Sequence, residues 1–482
     1  MTDACRSTLR PRGRQEPVAV GQVESDRAVT TSAGRSPRAA LLAAGLGLVT
    51  VASYLVGAGS SYDYDSSVTV GLFVSNRNWA IPLTQQRVFN NHVLFSMLSW
   101  CIWHLGGRGE AAMRVAPILM AGATVVVVTS WASRRWSLGI AALAGLLVAA
   151  NPMFATLSRS VRGYSMAVLA ITIATLLLID DLDAVVDPTN PRPPWGPHTT
   201  RARRVLYVIA MAVAIGTRFD AGVALACHGA AILAVRGEWR RRWRTLLWAG
   251  VLGCLPLAFT LADMMTTLRL SRGIFHAAFP WDVVRLILGG TALSVAIAVV
   301  LIATGTRGRL EPRWSIVTPR RAATAVLVGI LLFEWLVSRS NVLDARFVLW
   351  LVPLGALGLA SLAAHGGRPA RALGALLVAV MVIGQMSTWA QPTYPLREAG
   401  AWIAQHRGER TVCADGASRE AFLAYGDPMY SLTNAREIDN CDIVVQVGAP
   451  SIYHVMPAVR RRYAHHIVFH AGTDVVIYTG RR

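Results

Sequence analysis

The sequence predicts an all-α polytopic membrane domain of about 11–13 transmembrane helices, followed by a small C-terminal extracytoplasmic α/β domain. Three observations carry this expectation. Of 482 residues, 54% are hydrophobic and only 15% charged, with a mean hydropathy of +0.43; a soluble enzyme carries about 25% charged residues. Apolar runs of spanning length recur from Ala40 to Ala390, and beyond Gln391 the pattern shifts to short β-rich segments.

Residues 1–39 are polar and rich in arginine (Arg6, Arg10, Arg12, Arg14, Arg27, Arg35 and Arg38). This stretch reads as a disordered cytoplasmic tail, too long and too charged for a secretory n-region. Ala40–Gly57 is then an uncleaved first span. Further runs of about 17–25 apolar residues fall near 115–133, 136–151, 164–180, 205–217, 219–236, 245–262, 284–304, 322–338, 345–364 and 372–390, the shortest of them below that range. Arginine-rich connections mark cytoplasmic loops: Arg134-Arg135, Arg201–Arg204, Arg236–Arg244, Thr306–Arg321 and His365–Arg371. Eleven spans with the N-terminus inside satisfy all of them, provided that His92–Leu105 does not cross but lies as a re-entrant or interfacial helix on the outer side. The formal charge of +20 is thereby mostly topological, and nucleic acid is not an expected partner. A multi-pass protein of a bacterial plasma membrane results.

All 47 basic residues are arginine. The absence of lysine removes P-loop NTPases and lysine-dependent hydrolases, and with the high alanine content it points to a GC-rich bacterial genome. The six cysteines are too scattered for a disulfide scaffold.

The final segment, 391–482, forms the α/β domain. Thr411–Ala414, Ile443–Val447, His466–Phe469 and Asp474–Tyr478 read as strands, and Leu396–His406 and Ser418–Tyr425 as helices. The odd number of spans places it outside. Cys413 and Cys441 are there either a disulfide or two buried thiols. His465-His466 and Arg460–Arg462 read as a solvated face, His228 as a packed intramembrane histidine, and Glu334 as a structural partner of Arg339 or Arg346.

On this topology the outer side carries the chemistry. The first outer loop, 59–91, holds Asp63 and Asp65 in SYDYDSSVTVGLF. Two carboxylates one residue apart can share a divalent cation, or divide into an ionised base and an orienting acceptor; nothing else in the sequence calls for a cofactor. Asn90-Asn91-His92 open an apolar helix whose N-terminus suits an anion. Arginines converge from several outer segments: Arg77 and Arg87, Arg159 and Arg162, Arg218 beside Asp220, Arg269 and Arg272 near His276, and Arg339 and Arg346 near Asp344. Singly, each suits a snorkelling anchor; together they suit a lipid phosphate.

The order of these motifs resembles the membrane half of the GT-C glycosyltransferases, nearest the dolichyl-phosphate-mannose protein mannosyltransferase-like branch. The resemblance spans roughly 40–390 and rests on the Asp-bearing first loop, NNHVLFSML, EAAMRVAPIL, NPMFATLSRSVRGYSMAVLAI and LDARFVLWLVPLGALGLA. Asp65 falls on the family's catalytic aspartate, Arg159, Arg162 and Tyr164 on its Ser/Arg/Tyr cluster, and Arg346 on its late Arg-Tyr motif. Two departures stand out: Ser66 replaces the usual glutamate and Val93 the proline after His92. Asp63 either substitutes for the absent carboxylate or is an ordinary loop residue.

The resemblance implies inverting transfer of a hexosyl or pentosyl group from a polyprenyl-phosphate donor to a hydroxyl of a glycan, lipid or protein acceptor at the outer face. Asp65 would be the general base, with Asp63 beside it. Arg162, Arg346 and Arg159, with Tyr164, would hold the departing phosphate, and His92 would be a donor or general acid. The rival classes are a lipid-linked glycan flippase or transporter, a non-catalytic relative, and a lipid-linked glycan polymerase or ligase. Against the transporter stands the lack of paired repeats; against the polymerase, the modest length of the late loop Asp263–Asp282.

Overall fold

The computed structural model describes residues 36–84, 92–186, 195–197, 199–235, 237–258, 280–307, 345–389, 395–425, 429–432, 437–448, 456–470 and 474–481. Of the expected disordered tail 1–39, residues 1–35 lie outside these residues, while Pro37–Ala39 already belong to the first helix, which corrects the boundary; span 322–338 with Glu334 lies outside, as do Arg87, Asn90, Asn91, Arg269, Arg272, His276, Arg339 and Asp344.

The chain is a helical membrane protein ending in a small α/β region. The membrane part contains α1 (Pro37–Leu55), α4 (Val93–His104), α5 (Glu110–Ala132), α6 (Leu138–Ala149), α7 (Pro152–Ser158), α8 (Tyr164–Val186), α9 (Thr200–Thr217), α10 (Gly222–Leu233) and α11 (Glu238–Ala258). After them come α12 (Pro280–Ile287), α13 (Ala292–Arg307), α14 (Leu351–His365) and α15 (Gly367–Trp389). Among the described residues, four helices are long and apolar enough to cross a membrane: α1, α5, α8 and α15. The bent pair α6 and α7, at 59°, makes a fifth if counted as one span. Expected spans 205–217 and 245–262 correspond to α9 and α11, whose first turns carry the arginines of TRARRV and EWRRRWR. The expected span 284–304 is broken around Gly289 and Gly290, both at positive φ. At twelve residues, α4 is about 18 Å long, too short to cross a hydrocarbon layer of about 30 Å.

One hydrophobic core runs through these helices, with Tyr54, Ile118, Val125, Leu147, Phe154, Ile171, Leu177 and Met211 buried in it. Gly47 and Gly122 let α1 and α5 approach closely: a Cβ on Gly122 would lie 3.0 Å from the Gly47 carbonyl oxygen. Small residues at a crossing are how membrane helices gain packing that lipid cannot supply.

The described part of the first outer loop contains short helical turns. It contains α2 (Tyr64–Thr69), a π-helical turn (Val70–Val74) and α3 (Ile81–Thr84). Asp63 starts α2 as its N-cap, its carboxylate taking the Ser66 amide at 2.7 Å.

The C-terminal region opens with α16 (Leu396–His406) and builds a five-stranded sheet of order β2-β1-β3-β5-β4. Its strands are β1 (Val412–Asp415), β2 (Tyr430–Leu432), β3 (Ile443–Val447), β4 (Tyr463–Phe469) and β5 (Val475–Arg481), with α17 (Gly416–Ala421) and α18 (Met456–Arg462) between them. β1 runs parallel to β2 and β3, while β5 is antiparallel to β3 and β4. Strand periodicity sorts side chains to opposite faces. Val412, Ala414, Ile443, Val445, Val475 and Ile477 meet Leu396, Ala399 and Ile403 on one side; Cys413, Val444 and Tyr478 meet Leu432, Ile438 and Tyr463 on the other. Cys413 and Cys441 are joined in a disulfide, which settles the alternative left open by sequence. β2 was not anticipated, because three residues give too short a pattern to read.

Candidate active site

Asp65 sits in the first turn of α2, and two arginines from distant elements grip its carboxylate. Arg162 Nη2 lies 2.9 Å from Oδ1, and Arg346 Nη1 lies 3.2 Å from Oδ2. Arg162 comes from the turn between α7 and α8, Arg346 from the 3-10 turn Ala345–Val348 preceding α14. The Asp65 side chain keeps 31% of its surface exposed, Arg346 25% and Arg162 10%. This carboxylate is therefore charge-paired yet reachable from outside.

The floor of the site is a hydrogen-bonded joint at Ser66. Its hydroxyl donates to Asp63 Oδ2 at 2.8 Å, accepts the Val161 amide at 2.9 Å and lies 3.1 Å from the Ser160 hydroxyl. Asp63 thus has both carboxylate oxygens engaged by Ser66, and its place is the cap of α2. Each carboxylate has partners of its own, Asp63 in Ser66 and Asp65 in two guanidinium groups. Among the described residues no group of three or more His, Cys, Asp or Glu side chains converges on a metal position.

Behind the arginines, His92 accepts the Gly163 amide at Nδ1 (3.2 Å), and its ring meets Tyr164 edge-on at 5.2 Å. Gly163 is required here by space: a Cβ would lie 3.1 Å from Phe95 Cβ and press into Thr217. Burial, then the guanidinium groups of Arg218, Arg162 and Arg346, push the His92 pKa well below its ordinary value. His92 is accordingly a neutral ring that positions the turn carrying Arg162. Arg218, itself buried and paired with Asp220 at 2.9 Å, stacks over Tyr164 at 4.2 Å. Arg346 lines a crevice with Tyr164, Arg218, Asp220, Phe347 and Trp350, continued by Val168 and Ile171. Arg162 Nε is buried and lacks a hydrogen-bond acceptor among the described residues.

Of the residues expected from sequence, Asp65, His92, Arg162, Tyr164 and Arg346 come together. Asp63 serves the cap, and Arg159 turns away to donate to the Val56 carbonyl at 2.7 Å. Sequence reading noted Arg218 and Asp220 only as outward charges, and the structure builds them into the wall. Two supports escaped it. Arg114 ties the first loop by donating to the carbonyls of Ala58, Ser60 and Ser61 at 2.6, 2.5 and 2.8 Å; a lone arginine in an apolar helix has no distinguishing signal. The α/β region also docks on the loop. Tyr425 accepts the Tyr62 amide at 2.7 Å and donates to Glu110 at 3.2 Å, Tyr64 donates to Glu420, and the Ala424 amide donates to Ser67.

No family model matches the chain, and no curated protein matches it. Among solved structures it is similar to ArnT from Cupriavidus metallidurans bound to undecaprenyl phosphate, at 15% identity and TM-score 0.49, over 92% of this chain and 99% of that one. It is also similar to the Archaeoglobus fulgidus oligosaccharyltransferase in complex with Zn and sulfate (12%, 0.45, over 88% and 72%). A third match is the S. cerevisiae protein O-mannosyltransferase Pmt1-Pmt2 complex bound to the sugar donor (14%, 0.33, over 51% and 35%).

Proposed function

We propose that the chain is an integral membrane glycosyltransferase that moves a sugar, with inversion, from a polyprenyl-phosphate donor to an acceptor hydroxyl at the outer face of the membrane. The observation that carries this reading is the Asp65 carboxylate held between Arg162 and Arg346. Guanidinium groups fixed at the site can receive the charge that a departing phosphate gains as its bond to the sugar breaks. The arginine-lined crevice with apolar continuation at Val168 and Ile171 suits a lipid-borne phosphate, and the unpaired Arg162 Nε supplies a further donor.

The pairing sets the base beside the two cations that would receive the donor phosphate. The acceptor oxygen then attacks the anomeric carbon while its proton passes to Asp65. The carbon–oxygen bond to phosphate breaks, and polyprenyl phosphate leaves with the electron pair. No step requires a cation.

Placement at the outer face is supported by the disulfide of the docked α/β region, which belongs in an oxidising compartment. The arginine-rich starts of α9 and α11 fall at the other end of the helices, where the positive-inside trend puts the cytoplasm.

The test is sugar transfer by purified, reconstituted protein with a panel of radiolabelled polyprenyl-phosphate sugars, comparing Asp65→Asn with wild type. Release of free polyprenyl phosphate by wild type, reduced about 10²–10⁴-fold in the variant, is expected. If neither protein turns over any donor while both bind the lipid equally, the transferase reading fails and flipping becomes the activity to measure.

A further inference from the structure

At the opposite end of α8 from Tyr164, about 25 Å away by helix rise, lies a second arginine-lined crevice. It is formed by α8, α9, α10 and α11, with Leu177, Leu178, Tyr207, Ile232 and Leu246 as its apolar wall and Arg203, Arg204 and Arg242 at its rim. Two of the rim arginines are neutralised. Arg203 Nε lies 2.7 Å from Asp181, while Arg242 lies 2.8 Å from Asp181 and 2.6 Å from Glu238. Arg204 is exposed and has no acidic partner among the described residues. The carboxylates thus hold two guanidinium groups rigidly at the mouth and leave a third cation uncompensated beside an apolar slot. Arg201, Arg240 and Arg244, all exposed on the same two helices, add positive potential around it.

We infer that this crevice binds an anionic glycerophospholipid of the inner leaflet, its headgroup phosphate on Arg204 and an acyl chain along Leu177, Ile232 and Leu246. Charge complementarity identifies the occupant. An isolated arginine at a membrane surface draws anionic headgroups only weakly, whereas an exposed guanidinium at the mouth of an apolar slot offers charge-assisted hydrogen bonds and burial of a chain together. A neutral lipid would satisfy the slot and leave Arg204 without an anion. The inference is independent of the transfer chemistry and concerns the other membrane face.

It is tested on the full chain by native mass spectrometry of lipid retention from mixed phosphatidylglycerol/phosphatidylcholine micelles. Wild type is expected to keep phosphatidylglycerol in preference to phosphatidylcholine, and Arg204→Gln to lose about tenfold of that preference, with Arg410→Gln, on the α/β region, as an unchanged control. Thr245→Trp, which fills the mouth of the slot without removing a charge, should also abolish retention. Equal retention of the two lipids by wild type, or undiminished preference in both Arg204→Gln and Thr245→Trp, would overturn the inference. Competition by glycerol 1-phosphate at concentrations matching the lipid would assign the site to a soluble anion, and overturns it too.

Discussion

Gly71 offers a way to move the loop that carries Asp65 without touching a residue of the candidate site. It lies in the π-helical turn after α2 and faces Leu423 of the α/β region. A Cβ at position 71 would stand 2.6 Å from the Leu423 carbonyl carbon and 2.8 Å from its oxygen. Carbon–carbon contacts settle near 3.5–4.0 Å, so Gly71→Ala must push loop and domain apart by about 1 Å. Because the obstacle is backbone, no side-chain rotation relieves it. Overpacking of this kind costs about 1–3 kcal/mol, and a displacement of about 1 Å at a catalytic group can cost about 10²-fold in rate. Gly71→Ala should therefore lower the midpoint of thermal unfolding in detergent and cut sugar transfer by about 10–10²-fold. Gly45→Ala in α1, where an added Cβ meets nothing within 4 Å, should leave both unchanged. The docking argument is refuted if Gly71→Ala unfolds and turns over like wild type.

Three further outcomes are expected. Arg346→Gln removes one of the two cations on Asp65 and should lower the rate at saturating donor by about 10²–10³-fold, measured as polyprenyl phosphate release. Cys413→Ala opens a loop whose ends are 28 residues apart; chain entropy assigns such a closure about 3–4 kcal/mol, read as lost hydrogen-exchange protection in β1 and β3. The depressed His92 pKa fixes a sign: below pH ~6.5 the unfolded chain takes a proton that the folded ring refuses, so stability falls with falling pH from there down to the folded pKa. Denaturation of His92→Gln between pH 7 and 5 should show a shallower loss than wild type, and equal slopes would contradict the buried neutral ring.

The membrane architecture was legible because hydropathy reports on local composition, which is also what a bilayer selects. The strands Ile443–Val447 and Asp474–Tyr478 were legible for a similar reason, since a strand packed on both faces reads as a short, nearly continuous apolar run. Asp65, Arg162 and Arg346 emerged as a group through the order of their motifs. Their mutual contact spans 281 residues for Arg346, and no local pattern encodes that. What remained hidden depends on tertiary contact alone. Asp63 looks like a second acid in sequence and becomes a cap only because Ser66 folds back on it. Arg159 and Arg162 look equivalent, yet the Val56 carbonyl takes the first and Asp65 the second. Arg114 and Tyr425 are ordinary residues whose importance is the loop they hold.

Ser66 bears most directly on whether one carboxylate suffices. The motif order leads one to expect glutamate at this position, and the serine here could be taken for loss of a working group. The structure gives it another task. Fully buried, its hydroxyl joins Asp63, Ser160 and the Val161 amide, so it fastens the start of α2 to the turn that carries Arg162. A carboxylate in its place would set a buried negative charge against the half-buried Asp63. The joint therefore fixes the separation of Asp65 and Arg162, the pair on which the proposed chemistry depends. That chemistry asks for a single acid–base group: the acceptor hydroxyl must lose a proton, whereas a phosphate leaving on fixed guanidinium groups needs charge stabilisation and not protonation. On this argument the serine belongs to a site that works with one carboxylate and two arginines, and the departure from the motif changes how Asp65 is held without removing the group that acts.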